Sequence, residues 1–162
     1  MYRVGLGHDS HRITKKTKKP LMLGGVKIKH QDGLEGNSDS DVILHSLCNA
    51  LSSAIGGDSI GTWSDEMYQK GTEDSAKYVA QIFSKVRKKK YVIENVSISV
   101  EMKEPYLSFN QIELIKNNIG KLIKATPNKV GLTINSGEGL TSFGRGEGVQ
   151  VFTVVLLKKN DT

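Results

Sequence analysis

The chain has one cysteine, Cys48, among its 162 residues. No internal disulfide and no all-cysteine zinc site can therefore form within it. A lone thiol suits a reducing compartment. Aromatic residues are only 6% and hydrophobic residues 37%, which is lean for a core, yet a charged fraction of 25% stays clear of the disordered regime. No apolar run reaches the roughly 18 residues of a membrane span. The opening Met1-Tyr-Arg-Val-Gly-Leu-Gly lacks the charged-then-apolar layout of a signal peptide. These absences predict a mature soluble protein of the cytoplasm, with no membrane partner; a plastid protein already freed of its transit peptide would read the same way. Neither an internal repeat nor an interdomain linker is visible, so residues 1–162 are expected to form one domain.

Against those absences stands an excess of positive charge: 23 Lys and Arg face 17 Asp and Glu, a formal balance of +6. It favours anionic partners such as phosphorylated metabolites. Nucleic acid is not expected, because Lys15-Lys16-Thr17-Lys18-Lys19 and Arg87-Lys88-Lys89-Lys90 carry no interleaved aromatics and no nucleic-acid motif appears. The second run suits a helix C-terminus, where cations are favoured.

Alternating or short apolar runs predict strands at about 2–8, 20–29, 95–103, 129–134 and 148–158. Val96, Ile98, Val100 and Met102 share one strand face. The stretch around Gly24-Gly25 is expected to bend or turn. Helical stripes fall at 39–55 (Leu44, Leu47, Cys48, Leu51, Ile55), 74–88 (Tyr78, Val79, Ile82, Phe83, Val86) and 110–125 (Ile112, Ile115, Ile119, Leu122, Ile123). The predicted class is α+β, a mixed sheet with helices packed on one face, of ferredoxin-like type. Two glycine-rich stretches, 56–61 and 136–148, are expected to be long functional loops.

The chain has four histidines, two of them in the first eleven residues. Asp9 and His11 are two apart on a strand, so their side chains point the same way. Gly5 and Gly7, on the same face, leave room for something to approach. His45 lies in the first helix, one turn after Asp41 and one turn before Asn49. If that helix packs beside the strand, Asp9, His11 and His45 can close on one metal, and two imidazoles with a carboxylate suit zinc with one position open. Asp41 or Asn49 would then orient the far nitrogen of His45. The competing reading makes His45 a hydrogen-bonded core residue, and His30 is expected to be simply exposed.

Asn37-Ser38-Asp39-Ser40-Asp41 opens the first helix, either as an ordinary N-cap from Ser38 or Asp39 or as a seat for an anion. Ser136-Gly137-Glu138-Gly139 follows a strand; it is either a surface turn or a phosphate site where Glu138 shares a hard divalent cation. Arg145 could grip phosphate or pair with Glu147 or Glu138.

These pieces occur in a recognisable order: Gly7-His-Asp9-Ser-His11, Leu23-Gly-Gly-Val, Ser38-Asp-Ser-Asp41-Val-Ile-Leu-His45, Asp58-Ser-Ile-Gly61, Lys70-Gly, Glu104-Pro105, Glu138 and Gly144-Arg-Gly-Glu-Gly148. As an ordered set, running almost end to end, they resemble the 2-C-methyl-D-erythritol 2,4-cyclodiphosphate synthases of the non-mevalonate isoprenoid pathway. The resemblance implies a homotrimer with active sites between subunits. It implies Zn2+ on Asp9, His11 and His45, and Mg2+ or Mn2+ held by Glu138 and the substrate phosphates. The implied reaction is cyclisation of 4-diphosphocytidyl-2-C-methyl-D-erythritol 2-phosphate, its own 2-phosphate displacing CMP. Carried over by position, Asn37 and Ser136 are the catalytic contacts to the phosphates. Ser38, Asp58, Ser59, Gly61 and Lys70 are substrate-binding positions. The segment from Met102 through Pro105 and Leu107 to Ser108 holds cytosine, Asn135 meets the diphosphate, and Arg145 and Glu147 line the region associated with isoprenoid diphosphates.

The chain departs from the family at several of these positions. Asn37 replaces a usual histidine, which removes a charge but keeps a donor. Asn135-Ser136-Gly137 replaces a threonine run, Asn49 an aspartate, Tyr106 a lysine and His8 a phenylalanine. His8 is expected either in the pocket wall or as a fourth metal neighbour. These changes motivate an alternative: a catalytically impaired trimer that binds isoprenoid diphosphates or cytidine nucleotides.

Overall fold

The computed structural model describes residues 1–15 and 18–160. In chain order it contains β1 (Tyr2–Thr14), β2 (Leu21–Leu23), β3 (Val26–Ile28), β4 (Gly33–Leu34), α1 (Val42–Ala54), α2 (Gly61–Gln69) and α3 (Ser75–Lys88). It continues through β5 (Tyr91–Glu101), α4 (Phe109–Leu122), β6 (Val130–Asn135) and β7 (Gly148–Lys159). The main sheet runs β4-β1-β7-β5-β6, and β2 pairs with β3 as a separate hairpin. Among the described residues only β5 and β6 pair in parallel, which requires the crossover through α4.

This is the mixed α+β fold expected, but it is not ferredoxin-like. A ferredoxin-like chain runs β-α-β-β-α-β, whereas here, apart from the short β2–β4, it runs β1, helices, β5, helix, β6, β7. The closing strand β7 inserts between β1 and β5, antiparallel to both. Two elements have no apolar stripe to announce them. One is β4, two residues long. The other is α2, where Ser64 is the one buried residue.

Burial of the three expected stripes drives the packing. Leu44, Leu47, Cys48 and Leu51 of α1 are fully buried, with Val79, Ile82 and Val86 of α3 and Ile115 and Ile119 of α4 against the same core. The sheet contributes Val96, Ile98, Val100, Val151 and Val155 from its covered face. Its other face stays open: Val4, Leu6, Phe152 and Val154 keep 66, 58, 44 and 40% of their surface.

The helices begin where local chemistry dictates. Ser38 and Ser40 adopt φ of +58° and +57°, which no helix accommodates, so α1 starts after them with Asp41 as N-cap. Asp41, not Ser38 or Asp39, accepts from the Leu44 N–H, and its carboxylate also accepts from Gly24 and Gly25 of the hairpin. Those two glycines hold φ of +61° and +75°, the pair of left-handed residues a tight two-residue hairpin requires. Burial pushes the Asp41 carboxyl up, against the pull of those three N–H donors. Ser108 and Gln111 form a capping box on α4. Lys85, Arg87 and Lys88 occupy the last turn of α3, as the helix-end reading expected. The other basic run falls partly on Lys16 and Thr17, which lie outside the described residues.

One close approach positions the site. A Cβ on Gly5 would lie 2.0 Å from the Ala50 carbonyl oxygen, and one on Gly7 would lie 2.1 Å from that of Ser46. The space those glycines leave is therefore taken by α1 itself, which lies flat on β1.

Candidate metal centre and nucleotide cleft

The strand β1 runs on past the expected end to Thr14, pairing with β7 as far as Arg12 opposite Gly148. Asp9 and His11 thus sit on regular strand backbone, both facing α1. Because α1 is seated on Gly5 and Gly7, His45 in its first turn reaches the same point. Asp9 Oδ2 lies 3.1 Å from His11 Nε2 and 3.1 Å from His45 Nδ1, and the two imidazole nitrogens are 3.2 Å apart. Four ligands at zinc bond lengths of about 2.0–2.1 Å form a tetrahedron with edges of roughly 3.3 Å. The three atoms fit one face of it. All three residues remain partly exposed, so a fourth ligand can reach the open corner. Burial raises the Asp9 carboxyl, but bonds from His11 and His45 and their charges outweigh it and hold it well below the usual carboxylate range.

The residues expected behind His45 are elsewhere. Asp41 is consumed as the N-cap. Asn49 accepts from the Ile60 N–H at 2.8 Å and donates to the His8 carbonyl at 3.1 Å, tying the 56–60 loop to β1. Ser75, at the start of α3, meets His45 Nε2 instead, at 2.8 Å. Sequence reasoning missed it. A serine opening a predicted helix reads as a cap, and nothing local links it to a histidine 30 residues away.

His8 points to the opposite face, as strand alternation requires. It stacks on Phe152 with ring centroids 4.6 Å apart and meets Gln150, so it is not a metal neighbour. His30 is half-buried rather than exposed, its Nδ1 turned to the backbone of Asp32.

A second group of expected residues gathers at the β6 flank. Met102, Pro105, Leu107 and Ser136 line a cavity of about 400 Å³ with Lys103 and Tyr106. Ser136, Glu138 and Arg145 line an adjoining cleft of about 650 Å³ with Lys103. Lys103 borders both and was not singled out by the sequence. Glu138 has φ of +48° between two glycines at +69° and +78°, so three successive left-handed residues make the turn. Asn135 is spent on that turn, its side chain accepting from the Gly137 N–H at 2.7 Å. Arg145 pairs with Glu147 at 3.0 Å and Ser142 at 3.1 Å, the pairing alternative rather than a free grip.

The remaining positions stay apart. Ser38 is buried, its hydroxyl 3.4 Å from His45 Nε2, while Asn37 is exposed. Asp58, Ser59 and Gly61 are exposed on the tethered loop and at the start of α2, and Lys70 pairs with Glu66 in solvent. The row Asp9–Val151–Val100–Ile134 crosses the sheet. It spans three strand spacings, about 14 Å, so the triad and the Ser136 cleft occupy opposite flanks of one sheet end. Among the described residues no helix is long and apolar enough to cross a membrane.

A model of the YgbB family matches residues 2–158. The 2-C-methyl-D-erythritol 2,4-cyclodiphosphate synthase of Chlamydia muridarum is 38% identical over 157 residues, covering 96% of this chain and 87% of its own. The Chlamydia trachomatis synthase is 36% identical, covering 97% and 88%. Among solved structures, the CDP complex of IspF from Plasmodium falciparum superposes with a TM-score of 0.84 at 31% identity, over 98% of this chain and 97% of that one. The bifunctional IspDF of Campylobacter jejuni matches with a TM-score of 0.88 at 29% identity, over 99% of this chain and 43% of that one.

Proposed function

This chain belongs to the YgbB family, and from that premise we infer that it is a lyase: it closes 4-diphosphocytidyl-2-C-methyl-D-erythritol 2-phosphate to 2-C-methyl-D-erythritol 2,4-cyclodiphosphate and releases CMP. The observation that carries the reading is the Asp9–His11–His45 triad, whose donor atoms span a zinc-sized face in a chain matched end to end. An oxygen of the substrate's 2-phosphate forms a bond to the β-phosphorus of its diphosphate. The bond from that phosphorus to the bridging oxygen breaks, and CMP leaves with the electron pair. The nucleophile is already part of the substrate, so the protein has to fold the substrate on itself and offset its crowded negative charge.

Asp9, His11 and His45 would hold Zn2+, and Glu138 with the substrate phosphates would hold Mg2+ or Mn2+. Bound there, the ions supply Lewis-acid charge to phosphoryl oxygens. The chain's own groups do the rest. The cavity of Met102, Pro105 and Leu107 receives the cytidine end. Lys103 stands where base and diphosphate meet, the Ser136 hydroxyl faces the phosphates beside Glu138, and Arg145, tied to Glu147 and Ser142, lines the same cleft. Asn37 can donate to a phosphate oxygen, and Asp58, Ser59 and Gly61 lie on the loop assigned to the sugar end.

Two features support a homotrimer with sites between subunits. The triad and the nucleotide cleft sit on unlike flanks, and a ring built from unlike flanks brings one subunit's triad to its neighbour's cleft. The open sheet face carries Val4, Leu6, Phe152 and Val154, an apolar stripe that such a ring would cover.

The test is CMP release by zinc- and magnesium-loaded protein, beside Asp9→Ala and His45→Ala. Wild-type release falling more than about 100-fold in both is expected, since even an outer partner of a ligand is worth about 10–100-fold. Absence of release by a zinc-loaded wild type would overturn the lyase reading in favour of a trimer that only binds nucleotides or isoprenoid diphosphates.

A further inference from the structure

His45 presents two ring nitrogens to two different surroundings. Nδ1 faces Asp9 and His11, while Nε2 faces Ser75 Oγ at 2.8 Å and, more distantly, Ser38 Oγ at 3.4 Å. The direction of the Ser75 bond follows from what lies behind it. The Ser75 hydroxyl donates to Asp39 Oδ1, and the Ser75 backbone N–H donates to Asp39 Oδ2 at 3.1 Å. A carboxylate can only accept, so the serine proton is committed to Asp39. The Ser75 oxygen is left as an acceptor, and the donor facing it is His45 Nε2–H. Asp9 Oδ2, 3.1 Å from Nδ1, is a second acceptor for that proton, so the lone pair comes to lie on Nδ1 once an ion takes the place of a proton between them.

Helix capping does not account for this arrangement. The N-cap of α3 is Asp74, whose side chain accepts from the Ala76 N–H, so the Ser75 hydroxyl is not needed at the helix end. Asp39 is itself fixed at both ends of the span: its N–H donates to the Glu73 carbonyl at 2.8 Å, and its Oδ1 accepts from the Asp41 N–H at 3.2 Å. The loop entering α1 and the first residue of α3 thus meet behind one imidazole. Ser75 is fully buried and Asp39 half-buried, which limits the access of water to these bonds.

We propose that Ser75 and Asp39 are positioning residues of the metal centre, a hydrogen-bond chain that holds His45 in its Nε2–H tautomer and aims Nδ1 at the ion. The inference rests on the triad being a metal site. The chain gives the Nε2 proton a fixed acceptor, so Nδ1 meets the ion with no ring flip.

The test separates the two levels. In zinc-loaded wild type, nitrogen-15 NMR of the histidine rings should place the His45 proton on Nε2, held by a hydrogen bond that slows its exchange with water. Ser75→Ala should free that proton to exchange rapidly, and Ser75→Thr, which keeps the hydroxyl, should restore its protection. Zinc competition against a chromophoric chelator should show Ser75→Ala about 10–100-fold weaker and Ser75→Thr within a few-fold of wild type, with melting temperatures monitoring the fold. A His45 proton on Nδ1 in wild type, or unchanged zinc affinity in folded Ser75→Ala, would overturn the hydrogen-bond chain. A wild type that binds no zinc would instead overturn the metal reading, and with it the purpose of the chain.

Discussion

At the β1 flank three donor atoms stand 3.1–3.2 Å apart on a strand and a helix, and each element is locked by backbone pairing or packing. At the β6 flank Ser136, Glu138 and Arg145 sit on glycine-rich turns around an open cleft, all three exposed. The first half holds three potential ligand atoms at one spacing. The second offers charge and donors that a phosphorylated ligand, and a neighbouring subunit, would bring into register. Rigid elements are placed where the coordination geometry is strict, and turns where the ligand itself supplies part of the order.

The sharpest way to break that contrast is to keep the subunits of the proposed trimer apart. Leu6→Asp puts a carboxylate into the apolar stripe, and an unpaired buried charge costs several kcal/mol. Sedimentation should shift from three chains to one and CMP release should fall at least about 100-fold, whereas zinc affinity per chain stays within about threefold, below the span of even an outer-partner loss. Full activity from single chains would mean that both halves serve one active site within a subunit.

A smaller effect should distinguish the halves within the intact assembly. Lys103→Ala removes the cation common to both cavities. A hydrogen bond to a charged group is worth about 1.5–3 kcal/mol, so KM should rise tenfold or more in steady-state kinetics with zinc affinity unchanged. A zinc defect in this variant would show that the flanks are not independent.

The smallest effect concerns Cys48, three residues after His45 and fully buried. Burial, then the Asp41 and Asp9 carboxylates, push its thiol well above the ordinary range. A folded-state pKa raised above the unfolded one leaves stability intact below about pH 8.5 and erodes it as pH rises further, at up to about 1.4 kcal/mol per unit. Denaturant titrations should show Cys48→Ala losing less stability than wild type between pH 8.5 and 10. At pH 8 a disulfide reagent should label the wild-type thiol only as fast as the chain unfolds. Rapid labelling would mean that the metal flank is looser than its bond lengths suggest.

What the sequence made legible follows from periodicity. Val96, Ile98 and Val100 alternate cleanly, and the stripes of α1, α3 and α4 repeat every three to four residues, so those elements were readable to within a few residues. The helix α2 was not: it has no N-cap side-chain bond and its apolar residues Trp63 and Met67 are only half-buried. The triad was readable because two ligands share a strand face and the third lies on an amphipathic helix. Its outer partner was not, because Ser75 and Asp39 meet only through the packing of α3 on α1. The ferredoxin-like expectation failed for a similar reason. Nothing local in β7 says that it will slide between β1 and β5.

The bare backbone of Gly5 and Gly7 has a reach beyond packing. These residues work as a feeler gauge between strand and helix: with 2.0 and 2.1 Å where a methyl would sit, any side chain must lift α1 off β1. His45 would travel with the helix while Asp9 and His11 stayed with the strand. The spacing of the triad is thus set by two positions that donate nothing to it, and a substitution there should register in a zinc titration as though a ligand had been lost.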